Sequence, residues 1–210
     1  MLGSFRNRTK GFREAVARPI ASLGVNPDFF SFLAVPLSLV AGYFLAEAWF
    51  AEAFVFMLLA VSIDFFDGSV ARLQKKSTLF GNYLETVIDK VVETILFISA
   101  AFLHPLAAIC ALGFSMLASY AKPRVGLVII TDNRDWPSLG EHSERMLVLL
   151  LGLLLSVFSI HFFSIPSLEL ALWLITAIAA IGTLQRMAFA KKLIEEADRK
   201  GTVLPYLSRK

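Results

Sequence analysis

DFFDGSVARLQKKSTLFGNYLETVID, running from Asp64 to Asp89, is the stretch on which the reading of this chain turns. Its carboxylates Asp64, Asp67, Glu85 and Asp89 lie in or beside segments apolar enough to enter a membrane. An unpaired ionised group at mid-bilayer costs about 2.5–3.5 kcal/mol or more, so something must hold these acids there. Read as helix, Asp64, Asp67, Gly68, Ala71 and Arg72 recur at three- and four-residue steps, and so do Gly81, Glu85 and Asp89, giving two stripes that can face each other. Converging carboxylates repel unless they share protons or bind hard cations. An oxygen-rich cluster suits magnesium, manganese or calcium rather than zinc.

Outward from this stretch the chain is strongly apolar: 210 residues, 57% of them hydrophobic, with a mean hydropathy of +0.68. A soluble chain of this size has no interior for so much apolar surface, which predicts an all-α integral membrane domain. Windows of roughly 20 residues, enough to cross a ~30 Å hydrocarbon core, fall at 29–48, 50–71, 80–103, 105–121, 144–163 and 166–190. The expected fold is therefore six transmembrane helices over residues 22–190. An amphipathic helix over 1–21 is expected to lie in the headgroup layer, where SFRNRTKGFREAVARPI sets Arg and Lys among Phe5, Phe12, Val16 and Ile20. Residues 191–210 read as a charged tail. Asn26-Pro27-Asp28 reads as a cap for the first span, no cleavable signal is expected, and the single cysteine, Cys110, excludes an intrachain disulfide and reads as a core residue.

Charge supplies the orientation. Of the 20 Lys and Arg residues, all but Lys90 fall before the first span, after the second, around the fourth-to-fifth connection or at the end of the chain. The connections near Glu47 to Glu52, His104 and His161 to Pro166 have none. Positive charge retained inside predicts that both termini and the acidic stretch face the cytoplasm, and an even number of spans agrees. The net charge of +3 is thus a topology signal. The aromatics lack the interleaved basic residues of a nucleic-acid platform, so no nucleic-acid partner is expected. Gly68 and Ala71 allow a flat ligand or another backbone to come close. Glu93, one turn past Asp89, is expected to bond to another helix or to tune the ligands, the former preferred. His142 reads as a solvated loop histidine.

The spacing Asp64-x-x-Asp67-Gly68-x-x-Ala71-Arg72, eight residues, then Gly81-x-x-x-Glu85-x-x-x-Asp89 resembles the signature of the CDP-alcohol phosphatidyltransferases, with seven of its eight positions matched. The departure is Glu85, where the family has a third aspartate. The resemblance implies metal-dependent transfer of a phosphatidyl-type group from a CDP-linked lipid, CDP-diacylglycerol or CDP-archaeol, to the hydroxyl of a small polar alcohol, with release of CMP. It implies one or two magnesium or manganese ions on Asp64, Asp67, Glu85 and Asp89, with Asp89 as the base. It also implies a nucleotide site at Asp64, Gly68, Ala71, Arg72 and Gly81, and a homodimer. Lys122, Arg124 and Arg145 resemble the anion pocket of members whose acceptor is a phosphate monoester. Cues toward glycerol 3-phosphate and toward inositol phosphate conflict, so the expected acceptor is a phosphorylated polyol. The residues leave open a divalent-cation transporter, a non-catalytic member of the same fold, and basic residues that serve topology alone.

Overall fold

Asn26 and Pro27 start the first long apolar segment as their chemistry requires, the Asn26 side-chain oxygen accepting from the Asp28 amide at 3.1 Å. The structure, a computed structural model, describes residues 10–22, 24–130, 136–137, 139–162 and 164–204; the side chains of Lys10, Phe12, Arg13, Glu14, Ile20, Phe30 and Asp64 lie outside the description. Its helices are α1 (Lys10–Ser22), α2 (Pro27–Phe32), α3 (Ala34–Ala46), α4 (Phe50–Leu73), α5 (Leu79–Ala100), α6 (Pro105–Val125), α7 (His142–Val157) and α8 (Ser167–Lys200). Two short antiparallel strands, β1 (His161–Phe162) and β2 (Ile165–Pro166), connect α7 to α8 and add a small element to the expected all-α fold.

The bundle is close-packed through small residues. α6 lies along α8, α3 packs on α4 and α5, and α7 packs on α8 and α4. Buried Ala41, Ala53, Ala100, Ala107, Ala111 and Ala179 let backbones approach, and Leu45, Met57, Leu96, Phe97, Leu149, Leu172 and Ile175 fill the space between them. Gly152 fits tightly against Ala171, where a methyl group would collide. Outward, Val55, Leu59, Ile109, Leu117 and Leu151 remain exposed, an apolar surface suited to lipid. Among the described residues four stretches, Pro27–Ala46, Phe50–Leu73, Pro105–Val125 and Ser167–Lys200, are long and apolar enough to cross a membrane. α5 carries Glu85, Asp89, Lys90 and Glu93, and α7 has only 16 residues.

Several sequence expectations are corrected. The window 29–48 is divided at Leu33 into α2 and α3. The window 144–163 yields a helix only to Val157, because Ser159 takes a left-handed φ of 52° and turns the chain into the hairpin. Residues 191–200 are not a separate tail but the end of α8, which runs unbroken for 34 residues to a left-handed Gly201. There Ala197 packs with Val125, Ile129 and Trp136, and i,i+4 pairs such as Lys191–Glu195, at 3.7 Å, line the exposed face. The expected 1–21 helix is described from Lys10, with residues 1–9 outside the described residues. It is tied to α4 by Gln74, whose side-chain amide donates to the carbonyls of Ala21 and Val25 at 3.1 and 3.0 Å.

Candidate active site

The last two turns of α4 and the first two of α5 are joined by a short turn through Lys75, at φ 57°, so that the two acidic stripes come together. Thr78 caps α5 by accepting from the Gly81 amide at 2.8 Å, which sets Gly81 at the mouth of the turn. Asp67, Gly68, Ala71 and Arg72 from α4, Lys76 to Thr78 from the turn and Gly81, Asn82 and Glu85 from α5 line one cavity of about 330 Å³. Pro27, Asp28 and Ser31 of α2 complete its wall.

The glycines leave room for side chains to close over the backbone at this cavity. A methyl group on Gly68 would sit 3.3 Å from Arg72 Nη1 and 3.8 Å from both carboxylate oxygens of Glu85. Guanidinium and carboxylate therefore converge over bare backbone. A methyl group on Gly81 would sit 3.2 Å from Asp28 Oδ1. Asp67 is buried, and its carboxylate accepts from Ser31 Oγ at 2.7 Å and from the Gly68 amide at 2.5 Å. Arg72 is steadied by Ser69, whose Oγ accepts from Nη2 at 3.0 Å.

Asp67 also borders a second, enclosed cavity of about 10 Å³ with Ser31, Ile88, Asp89, Val92 and His142. That is room for about one water molecule. Asp67 thus stands between Asp89 on one side and Glu85 with Arg72 on the other. The backbone of Asp64 lies in α4 one turn before Asp67, and its side chain is outside the described residues. Among the described residues no three His, Cys, Asp or Glu groups gather at ligating separation. Asp67 and Glu85 wall the larger cavity and Asp67 and Asp89 the smaller one, and carboxylate oxygens of this kind, with Ser31 orienting Asp67, are donors that suit a hard divalent cation.

The basic residues divide differently from their sequence grouping. Arg124 is exposed at the end of α6 and Lys122 half-buried beside it. Arg145 is not on the rim: it is 1% exposed, in the first turns of α7, which begins at His142 behind a capping box of Glu141 and Glu144. Its Nε donates to Glu93 Oε1 at 2.5 Å, Nη2 donates to Glu93 Oε2 at 2.9 Å and to Ser119 Oγ at 3.3 Å, and Nη1 donates to the Gly140 carbonyl. Glu93 therefore does bond to another helix. His142 is not a solvated loop residue; it is the first residue of α7, with its Nδ1 3.4 Å from Glu93 Oε2. Sequence reading missed Asp28 and Ser31, whose three-residue spacing just after the cap was the available signal. It also missed Arg186, buried with Nη1 on the Ala118 carbonyl at 2.5 Å.

Residues 25–184 match a family model described as CDP-alcohol phosphatidyltransferase. The chain is 24% identical over 199 residues to an archaetidylinositol phosphate synthase of Pyrococcus horikoshii, covering 93% of this chain and 99% of the relative. It is 28% identical over 190 residues to a phosphatidylinositol phosphate synthase of Corynebacterium glutamicum, covering 85% and 84%. The fold is that of the Mycobacterium tuberculosis phosphatidylinositol phosphate synthase solved with CDP-DAG bound, at a TM-score of 0.70 and 21% identity over 94% of this chain and 98% of that one. A second structure of that mycobacterial protein is a complex with manganese and citrate.

Proposed function

The chain belongs to the CDP-alcohol phosphatidyltransferase family, and from that premise we propose that it transfers a phosphatidyl-type group from a CDP-linked lipid to a small polar alcohol, releasing CMP. The observation that carries the reading is the cavity at the α4–α5 turn, where Asp67, Gly68, Ala71, Arg72, Gly81 and Glu85 of the signature share one wall. The acceptor is a phosphorylated polyol, inositol phosphate or glycerol 3-phosphate, and the lipid body is diacylglycerol or archaeol. The archaetidylinositol phosphate and phosphatidylinositol phosphate synthases among the relatives favour the former acceptor.

Gly68, Ala71 and Gly81 leave flat backbone against which the nucleotide lies, and Arg72 offers its paired donors to phosphate oxygens. Asp89 takes the proton of the acceptor hydroxyl as that oxygen bonds to the lipid-side phosphorus. The phosphoanhydride bond breaks, and CMP leaves with the electron pair. A magnesium or manganese ion, one or two, held by Asp64, Asp67, Glu85 and Asp89, supplies neutralisation of the pyrophosphate charge. The manganese-bound mycobacterial structure supports this choice of ion. Lys122 and Arg124 are the rim cations that meet the acceptor's phosphate.

The membrane arrangement follows from the same reading. α2 with α3, then α4, α5, α6, α7 and α8 make six spans, the acids of α5 being the site itself. α1 lies in the headgroup layer, and both termini and the cavity face the cytoplasm, where CDP compounds and polyol phosphates are found. The active unit is a homodimer, built on part of the exposed apolar surface.

The test is CMP release by detergent-purified protein with a CDP-lipid, magnesium or manganese, and separately inositol phosphate, glycerol 3-phosphate, inositol or serine. One acceptor is expected to support release, and Asp89→Asn to lower it by about 10²–10⁴-fold. Silence with every acceptor, or an unaffected Asp89→Asn, overturns the reading.

A further inference from the structure

Glu93 lies outside the family signature and has 0% exposure. Its carboxylate is gripped from two helices: by Lys90 Nζ at 2.7 Å from its own helix α5, and from α7 by Arg145 at 2.5 and 2.9 Å and His142 at 3.4 Å. A buried ionic cluster of this kind is no more stabilising than well-packed apolar side chains of the same volume, so stability alone does not explain it. Its position does. Glu93 stands one turn beyond Asp89 on α5, and Lys90, adjacent to Asp89, is drawn onto it. His142, at the other end of the cluster, lines the small cavity together with Asp89 and Asp67. Arg145 extends the connection to the Gly140 carbonyl and Ser119 Oγ, so α5, α6, α7 and the segment before α7 are joined through the Glu93–Arg145 pair.

We propose that Glu93 is a positioning residue for the transfer reaction: through Arg145 and His142 it fixes the turn of α5 that carries Asp89 against α7, and so sets Asp89 for the incoming hydroxyl. The cluster sits on the Asp89 side of Asp67, away from the wall formed by Gly68, Arg72 and Gly81. It therefore bears on turnover through Asp89 and makes no contact with the wall against which the nucleotide is proposed to lie. The inference rests on the transferase reading above.

Glu93→Gln keeps the shape and removes the charge that holds Arg145 and Lys90. The expected result is a kcat lower by about 10–100-fold with the KM for CDP-lipid within about twofold of wild type, and an undiminished rise in melting temperature on adding CDP-lipid. Arg145→Lys, which keeps the charge but loses the two-pronged contact, is expected to show the same split, and it carries the test if Glu93→Gln does not fold. A folded Glu93→Gln with wild-type kcat overturns the proposal, as does a loss that lies in the KM for CDP-lipid. Either result, obtained beside an active wild type, leaves the transferase reading standing. A wild type that releases no CMP with any acceptor overturns both.

Discussion

Glu85 and Glu93 lie on the same helix two turns apart, and their surroundings are opposite. Glu85 is partly exposed at the wall of a cavity of about 330 Å³, its carboxylate beside Arg72 over the bare backbone of Gly68. Glu93 is 0% exposed and bound by cations of two helices. The difference teaches that two acids on one helix can have opposite surroundings. One acid borders open volume beside a glycine; the other, wrapped in arginine, ties helices together.

Removing each side chain should separate the two acids. Glu93→Ala leaves the Arg145 guanidinium buried and unmatched, a loss of about 3–5 kcal/mol, seen as a large fall in melting temperature in detergent. Glu85→Ala opens an already open site. It should leave the melting temperature near that of wild type while lowering CMP release by about 100-fold or more, the scale of removing a group that serves developing charge. Equal stability losses in the two variants would erase the contrast.

The glycines offer a finer version. A methyl group on Gly182 would strike the Leu139 carbonyl, in the segment whose Gly140 carbonyl holds Arg145. Gly182→Ala should therefore cost about 1–3 kcal/mol, measured by thermal unfolding. A methyl group on Gly113 would meet nothing within 4 Å, and Gly113→Ala is the matched control, neutral or stabilising. Gly68→Ala, with Arg72 Nη1 at 3.3 Å, belongs to the other region. Its stability should be unchanged and its KM for CDP-lipid raised by about tenfold, an effect near 1.4 kcal/mol. An unchanged KM would mean that the donor does not lie over that backbone.

Much of this was legible from local pattern. The helical membrane character, the acidic stripes and the glycines among them follow from periodicity along one chain segment, because a helix presents every third or fourth residue on one face. Arg145 was misread because its neighbours are loop and rim residues; nothing in its local spacing says that it meets Glu93 of α5. His142 was misread for the same reason, being the first residue of a helix whose start the apolar run did not mark. The charged residues 191–200 resembled a tail because their apolar partners, Ile129 and Trp136, are far away in sequence.

The sequence by itself determined the helical membrane class and the signature, since residue type and helical spacing carry that information within about two dozen residues. The tertiary structure decided which of the charged groups face volume and which face each other. Ser31 reaches Asp67 across 36 residues of chain and Arg145 reaches Glu93 across 52, and such pairings are set by how helices pack, not by the periodicity of any one of them.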